Sequence, residues 1–142
     1  MWQGTYNAAR AMQAADNGDF EIKAKFLTQV SDRFELQGIV VEQDADNWIR
    51  CDTYTNGSTH YVFAAVTLNG SSEQKLKIVI SAGDAQYLRV SRSGDVWTYS
   101  YSADGQVWNV AGSFTQALTV TEVGPFAGST NSAGGYAAQV DY

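Results

Sequence analysis

Phe20-Glu21-Ile22-Lys23-Ala24-Lys25-Phe26 alternates apolar and charged residues without a break. Successive side chains of a strand point to opposite faces, so Phe20, Ile22, Ala24 and Phe26 are expected inward and Glu21, Lys23 and Lys25 outward. The segment reads as a half-buried strand. Nothing later in the chain breaks with that reading, because helical periodicity is nearly absent.

Working outward, further strands are expected at 34–43, 48–54, 60–68, 76–81, 87–91, 96–101, 107–114, 118–126 and 136–142. Turn signals separate them: the acidic loop 44–47, then Asn56-Gly57, Asn69-Gly70, Gly83-Asp84, Ser93-Gly94-Asp95 and Asp104-Gly105. Gly and Asn supply the positive φ that tight hairpins need. Strand and turn recur at the spacing of an all-β, two-sheet antiparallel β-sandwich. The Ala-rich stretch 7–15 reads equally as a helical turn or as an N-terminal strand. Residues 128–135, Gly-Ser-Thr-Asn-Ser-Ala-Gly-Gly, read as a flexible loop.

A chain of 142 residues is expected to form one domain, 1–142. Only 17 % of its residues are charged, while 13 % are aromatic and 13 are Gly, a composition that suits half-buried strands. The net charge of -6 would repel a phosphate backbone, and no basic cluster offsets it, so nucleic acid is not an expected partner. The single cysteine, Cys51, cannot form an internal disulfide and alternates with Ile49 as a core residue would. The opening residues lack the basic and apolar regions of a signal peptide, and no stretch approaches a membrane span. No membrane insertion is expected.

The stretch Tyr87-Leu88-Arg89-Val90-Ser91-Arg92-Ser93-Gly94-Asp95-Val96-Trp97-Thr98-Tyr99-Ser100-Tyr101-Ser102-Ala103-Asp104-Gly105-Gln106-Val107-Trp108 resembles the concanavalin A-like, laminin G-like jelly rolls. More narrowly it is similar to bacterial domains appended to secreted glycoside hydrolases and cell-surface proteins. Gln37-Gly38-Ile39-Val40, Asp46-Asn47-Trp48-Ile49-Arg50 and Val123-Gly124-Pro125-Phe126-Ala127-Gly128 support the resemblance, which covers about residues 19–142. It implies a jelly roll with one concave sheet that frequently carries a ligand groove. It also implies an extracellular or cell-surface setting, as part of a larger secreted protein, and a polysaccharide or glycan as partner.

Catalysis is not expected. Glycosidases set two carboxylates across a cleft, and the Glu-x-Asp-x-x-Glu triplet that the resemblance implies for glucanases is missing. The nearest match, 42–46, leaves a strand for a loop. His60 is the sole histidine and has no nucleophile motif around it. No cofactor is required. Asp44, Asp46 and Asn47 form an oxygen-rich loop that could take a structural calcium, which the resemblance also allows; the same residues are ordinary turn formers that bond their own backbone. Asp16, Asn17 and Asp19 make a second such loop.

Sugar binding calls for aromatic faces beside planar polar groups. With Ile49 and Cys51 inward, parity puts Trp48, Arg50, Asp52 and Tyr54 on the other face. With Leu88 and Val90 inward, Tyr87 and Arg89 also face out, and Gln37 would join them. These seven residues are the expected ligand floor of a non-catalytic carbohydrate-binding module. The competing reading of the same row is a cross-strand ion-pair ladder with Trp48 at its edge. An adhesion or spacer domain, or a small glycanase or lyase, are the other functions the chain could serve. Trp97, Tyr99 and Tyr101 form the heaviest aromatic stripe and are expected in the core.

Overall fold

A computed structural model describes residues 8–129 and 136–141. The described residues hold strands and no helix. In chain order the strands are β1 (Ala9–Arg10), β2 (Gln13–Ala14), β3 (Phe20–Phe26), β4 (Glu35–Asp44), β5 (Asn47–Thr55), β6 (His60–Leu68), β7 (Ser71–Ile80), β8 (Tyr87–Ser93), β9 (Val96–Ser102), β10 (Asn109–Thr115), β11 (Glu122–Ser129) and β12 (Val140–Asp141). They form two antiparallel sheets. The larger is ordered β1-β11-β4-β5-β6-β7, with β2 also on β11; the smaller is β10-β9-β8-β3-β12. The all-β sandwich expected from the sequence is the fold.

Burial follows parity. Ile22, Ala24, Phe26, Leu88, Val90, Trp97 and Tyr99 of the smaller sheet pack against Ile39, Val41, Ile49, Cys51, Val62, Ala64 and Val66 of the larger one. Two bonds fix the large aromatics inside this core. The Trp97 Nε1–H donates to the Gln116 carbonyl at 2.9 Å, and the Tyr99 hydroxyl donates across the sandwich to the Asp52 carbonyl at 2.9 Å. A buried hydroxyl without such an acceptor would carry a desolvation penalty.

Hairpins carry the expected turns. Asn69 and Gly70 both take positive φ, 51° and 78°, between β6 and β7. Edge strands deviate most from expectation. β7 begins at Ser71, five residues before Leu76, because a strand at the border of a sheet needs no apolar alternation along its whole length. β10, the border of the smaller sheet, is bulged between Val110 and Gly112.

The stretch 8–15 forms the two short strands β1 and β2 along β11, with the Ala11 and Ala15 amides bonded to the Pro125 and Thr121 carbonyls; Asn7 lies outside the described residues. Of 128–135, Gly128 and Ser129 complete β11 and the rest lies outside the described residues. Residues 118–121 are not strand, yet Leu118 and Val120 are core. Only Val140–Asp141 of the expected last strand pairs, on β3; Tyr142 lies outside the described residues.

Candidate functional site

The register of the larger sheet sorts its outer face into lateral rows. Leu36, Tyr54, Tyr61 and Val79 are successive partners across β4 to β7, and Gly38, Asp52, Phe63 and Lys77 form the next row. Row positions in neighbouring strands share a face. Gly38 is required here: a Cβ would lie 2.3 Å from the Cys51 carbonyl oxygen and 2.5 Å from the Asp52 Cβ.

Trp48, Arg50, Asp52 and Tyr54 do share this outer face, but the first three are buried. Trp48 packs with Leu36, Val40 and Phe126 in a second apolar cluster, against Ala8 and Met12 of the N-terminal segment. The expected exposure of Trp48 is therefore corrected; it is buried in a cluster against which Ala8 and Met12, from the segment that runs along β11, pack. Arg50 Nε lies 3.0 Å from Asp52 Oδ2, and its guanidinium stands 4.6 Å from the centre of the Phe63 ring. Burial pushes the Asp52 carboxyl up to about 6, while the Arg50 charge draws it back down. Burial also pushes the Cys51 thiol up.

Beyond the buried row, Tyr54 and Tyr61 are half-buried, Lys77 and Val79 are exposed, and Phe63 is buried beneath them. Tyr54 and Tyr61 stack with centroids 5.0 Å apart and planes 25° apart, and Phe63 meets Tyr54 edge-on at 5.7 Å. Lys77 Nζ lies 4.7 Å from the Tyr61 ring centre, and the Asn56 amide donates to the Tyr61 hydroxyl at 3.4 Å. Beside this cluster, at the end of the sheet where β4 begins, stands the turn 32–35. Phe34 has φ 61°, an outlier for a bulky residue that costs about 1–3 kcal/mol. The turn is over-determined. Glu35 Oε1 accepts from the Ser31 and Asp32 amides and the Ser31 hydroxyl, and the Phe34 amide donates to the Thr55 carbonyl. The Arg33 guanidinium stands 4.8 Å from the Phe34 ring centre.

The other expected residues lie elsewhere. Gln37 shares the parity of Ile39 and faces inward. Its Oε1 accepts from the Thr28 and Tyr136 hydroxyls at 2.9 and 2.6 Å, and its Nε2 donates to the Thr28 carbonyl. Tyr87 and Arg89 face outward, but from the smaller sheet, so they cannot complete a floor with the Trp48 row. Parity sets which side of its own sheet a residue takes and leaves open which sheet holds it. There the Arg89 guanidinium stands 4.2 Å from the Trp108 ring centre, with Lys23 over the same ring. The Tyr87 ring is packed so closely on Gly105 that a Cβ there would come within 2.7 Å. These aromatics anchor the 103–108 loop over buried Ser100 and Ser102.

Asp44, Asp46 and Asn47 are together in the β4–β5 turn. Asp44 Oδ1 accepts from the Asn47 side-chain amide at 2.8 Å and the Asp46 backbone amide at 2.9 Å, which lowers its carboxyl below the ordinary range. Asn47 Oδ1 accepts from the Asn69 amide. Asn17 and Asp19 likewise bond Arg92, Val120 and Gly94. Among the described residues no group of three acidic, His or Cys side chains converges on a metal position. The sequence reading missed Tyr61, Phe63 and Lys77. The signal was present: Val62, Ala64 and Val66 inward put Tyr61 and Phe63 outward, and Leu76 and Ile78 do the same for Lys77.

Two antiparallel sheets closed over one apolar core, with an aromatic and cationic end on the larger, define an all-β sandwich. The chain belongs to the family described as "Protein of unknown function (DUF1349)", whose model matches residues 1–141. No curated protein matches it. Among solved structures it is similar to a functionally unknown protein from Saccharomyces cerevisiae, at 19 % identity and TM-score 0.67, over 93 % of this chain and 72 % of that one. It is also similar to a xylan beta-1,4-xylosidase from Bacillus halodurans C-125, at 13 % identity and TM-score 0.70, covering 89 % of this chain and 28 % of that one. A third is the CBM2 module of an evolved Dit protein of Lactobacillus casei BL23 phage J-1, at 4 % identity and TM-score 0.58, over 91 % and 64 % of the two chains. At these identities the likeness is one of fold.

Proposed function

We propose that the chain is a non-catalytic carbohydrate-binding module that holds a glycan on the outer face of its larger sheet. The observation that carries this reading is the half-buried Tyr54–Tyr61 stack, backed by buried Phe63 and edged by Lys77 and Asn56. Aromatic carbon surface beside a few oriented polar groups suits a pyranose, whose C–H faces are apolar and whose rim is hydroxyl. The fold likeness to a CBM2 module and to a segment of a xylosidase supports it. Because the chain spans about 28 % of that xylosidase, we read it as an accessory module of a larger secreted protein, raising its partner's concentration at a polysaccharide.

A non-catalytic role is supported by the pairing of Asp52 with Arg50 beneath Phe63, which leaves this carboxylate out of reach of a glycosidic bond. No cofactor enters the reading. Affinity electrophoresis against a polysaccharide panel tests it. Native protein should be retarded by at least one polymer, and Tyr61→Ala and Tyr54→Ala should each weaken that binding about tenfold, as loss of a ring contact does, while keeping a native circular-dichroism spectrum. Equal retardation of native and variant proteins, or none by any polymer, would refute the site; the latter would favour an adhesion or spacer domain.

A further inference from the structure

Phe34, in the turn that enters β4, and Tyr61, on β6, are each roofed by a cation, Arg33 at 4.8 Å and Lys77 at 4.7 Å. Neither cation makes an ion pair among the described residues, although the chain carries a net charge of -6. Asp32 adjoins Arg33 in sequence and makes no ion pair with it. The other carboxylates at this end are committed elsewhere: Asp52 to Arg50, and Glu35 to the amides of its own turn. Two cations, each over an aromatic ring and neither in an ion pair among the described residues, are a charge pattern that an anionic ligand would complete.

We infer that the glycan bound here carries carboxylates, that is, a polysaccharide containing uronic acids; this rests on the carbohydrate-binding reading above. A neutral sugar stacking on Tyr61 must displace the Lys77 ammonium from the ring and offers it only uncharged hydroxyl acceptors in return. A uronic acid carries a planar carboxylate on the ring carbon next to the ring oxygen. Its ring can take the aromatic surface while the carboxylate takes the displaced ammonium. The guanidinium of Arg33 offers a fork that matches a carboxylate in two-point contact. The turn that carries Arg33 and Phe34 is braced by the Glu35 carboxylate on the Ser31 and Asp32 amides, and the guanidinium stands over the Phe34 ring.

The test is isothermal titration with polygalacturonate, its fully methyl-esterified form, neutral xylan and dextran sulfate. Polygalacturonate should bind most tightly, and esterification, which keeps the rings and removes the charge, should weaken binding about tenfold. Lys77→Gln and Arg33→Gln, both at exposed positions, should each lose about three- to fivefold for polygalacturonate and should not weaken binding of the ester. Equal affinity for acid and ester, unchanged binding in both variants, or equal affinity for dextran sulfate would overturn the inference. A neutral polymer bound through Tyr61, with polygalacturonate rejected, overturns it while leaving the module reading intact. Binding of no polymer overturns both.

Discussion

Asp52 should make the fold less stable as pH rises. Its carboxyl is fully buried, and burial moves it from 3.8 to about 6 against the opposing pull of Arg50. Each unit of displacement is worth about 1.4 kcal/mol, so the protonated form is favoured in the folded chain by about 3 kcal/mol relative to the unfolded chain. The folded chain holds this proton more tightly than the unfolded one. Its contribution is therefore full below about 3.8 and is lost as pH rises through about 6.

Asp52→Asn keeps the side-chain shape and binds no such proton, so it isolates the effect from the other carboxylates. Urea unfolding of both proteins from about pH 3 to about pH 8 should show the native protein losing about 3 kcal/mol relative to the variant. Arg50→Gln should shift the loss to higher pH, because the charge that draws Asp52 down is gone. A difference that is flat across this range, or that grows in the native protein's favour with pH, would refute the reasoning.

Gly38→Ala should destabilise by about 3 kcal/mol or more, since its Cβ meets the Cys51 carbonyl and Asp52 Cβ and can be accommodated only by parting β4 from β5; near-native urea unfolding would count against this. Cys51, 1 % exposed and with its thiol pushed up by burial, should resist a disulfide-exchange reagent in the folded protein and react at once in denaturant; fast labelling of the folded chain would contradict the burial.

Parity made the core legible. Ile49, Cys51, Leu88, Val90, Trp97 and Tyr99 all point where alternation puts them. Two kinds of information lay beyond it. Alternation in β8 says that Tyr87 and Arg89 face away from Leu88, but only the pairing of β8 with β3 and β9 shows that they occupy the smaller sheet. Trp48 has the right parity for an exposed row, yet it is buried in a cluster with Leu36, Val40 and Phe126 on which Met12 packs, and no local pattern encodes that tertiary contact. Gln37 is different. It shares parity with Ile39 and Val41, and its polar side chain obscured a position that Thr28 and Tyr136 make habitable inside. The 32–35 turn was invisible because Phe34 reads as the first apolar residue of a strand.

The border position of β7 gives Lys77 a second task. A strand at the limit of a sheet offers its free backbone groups to any chain that can align with it, and charged side chains, lysine above all, discourage that alignment. Lys75 and Lys77 stand on this strand, and the bulge at Val110 and Gly112 interrupts the corresponding border of the smaller sheet. Redesigning ligand preference through Lys77 therefore also alters how well separate copies stay apart, whereas Arg33, on its turn, can be changed without touching a border.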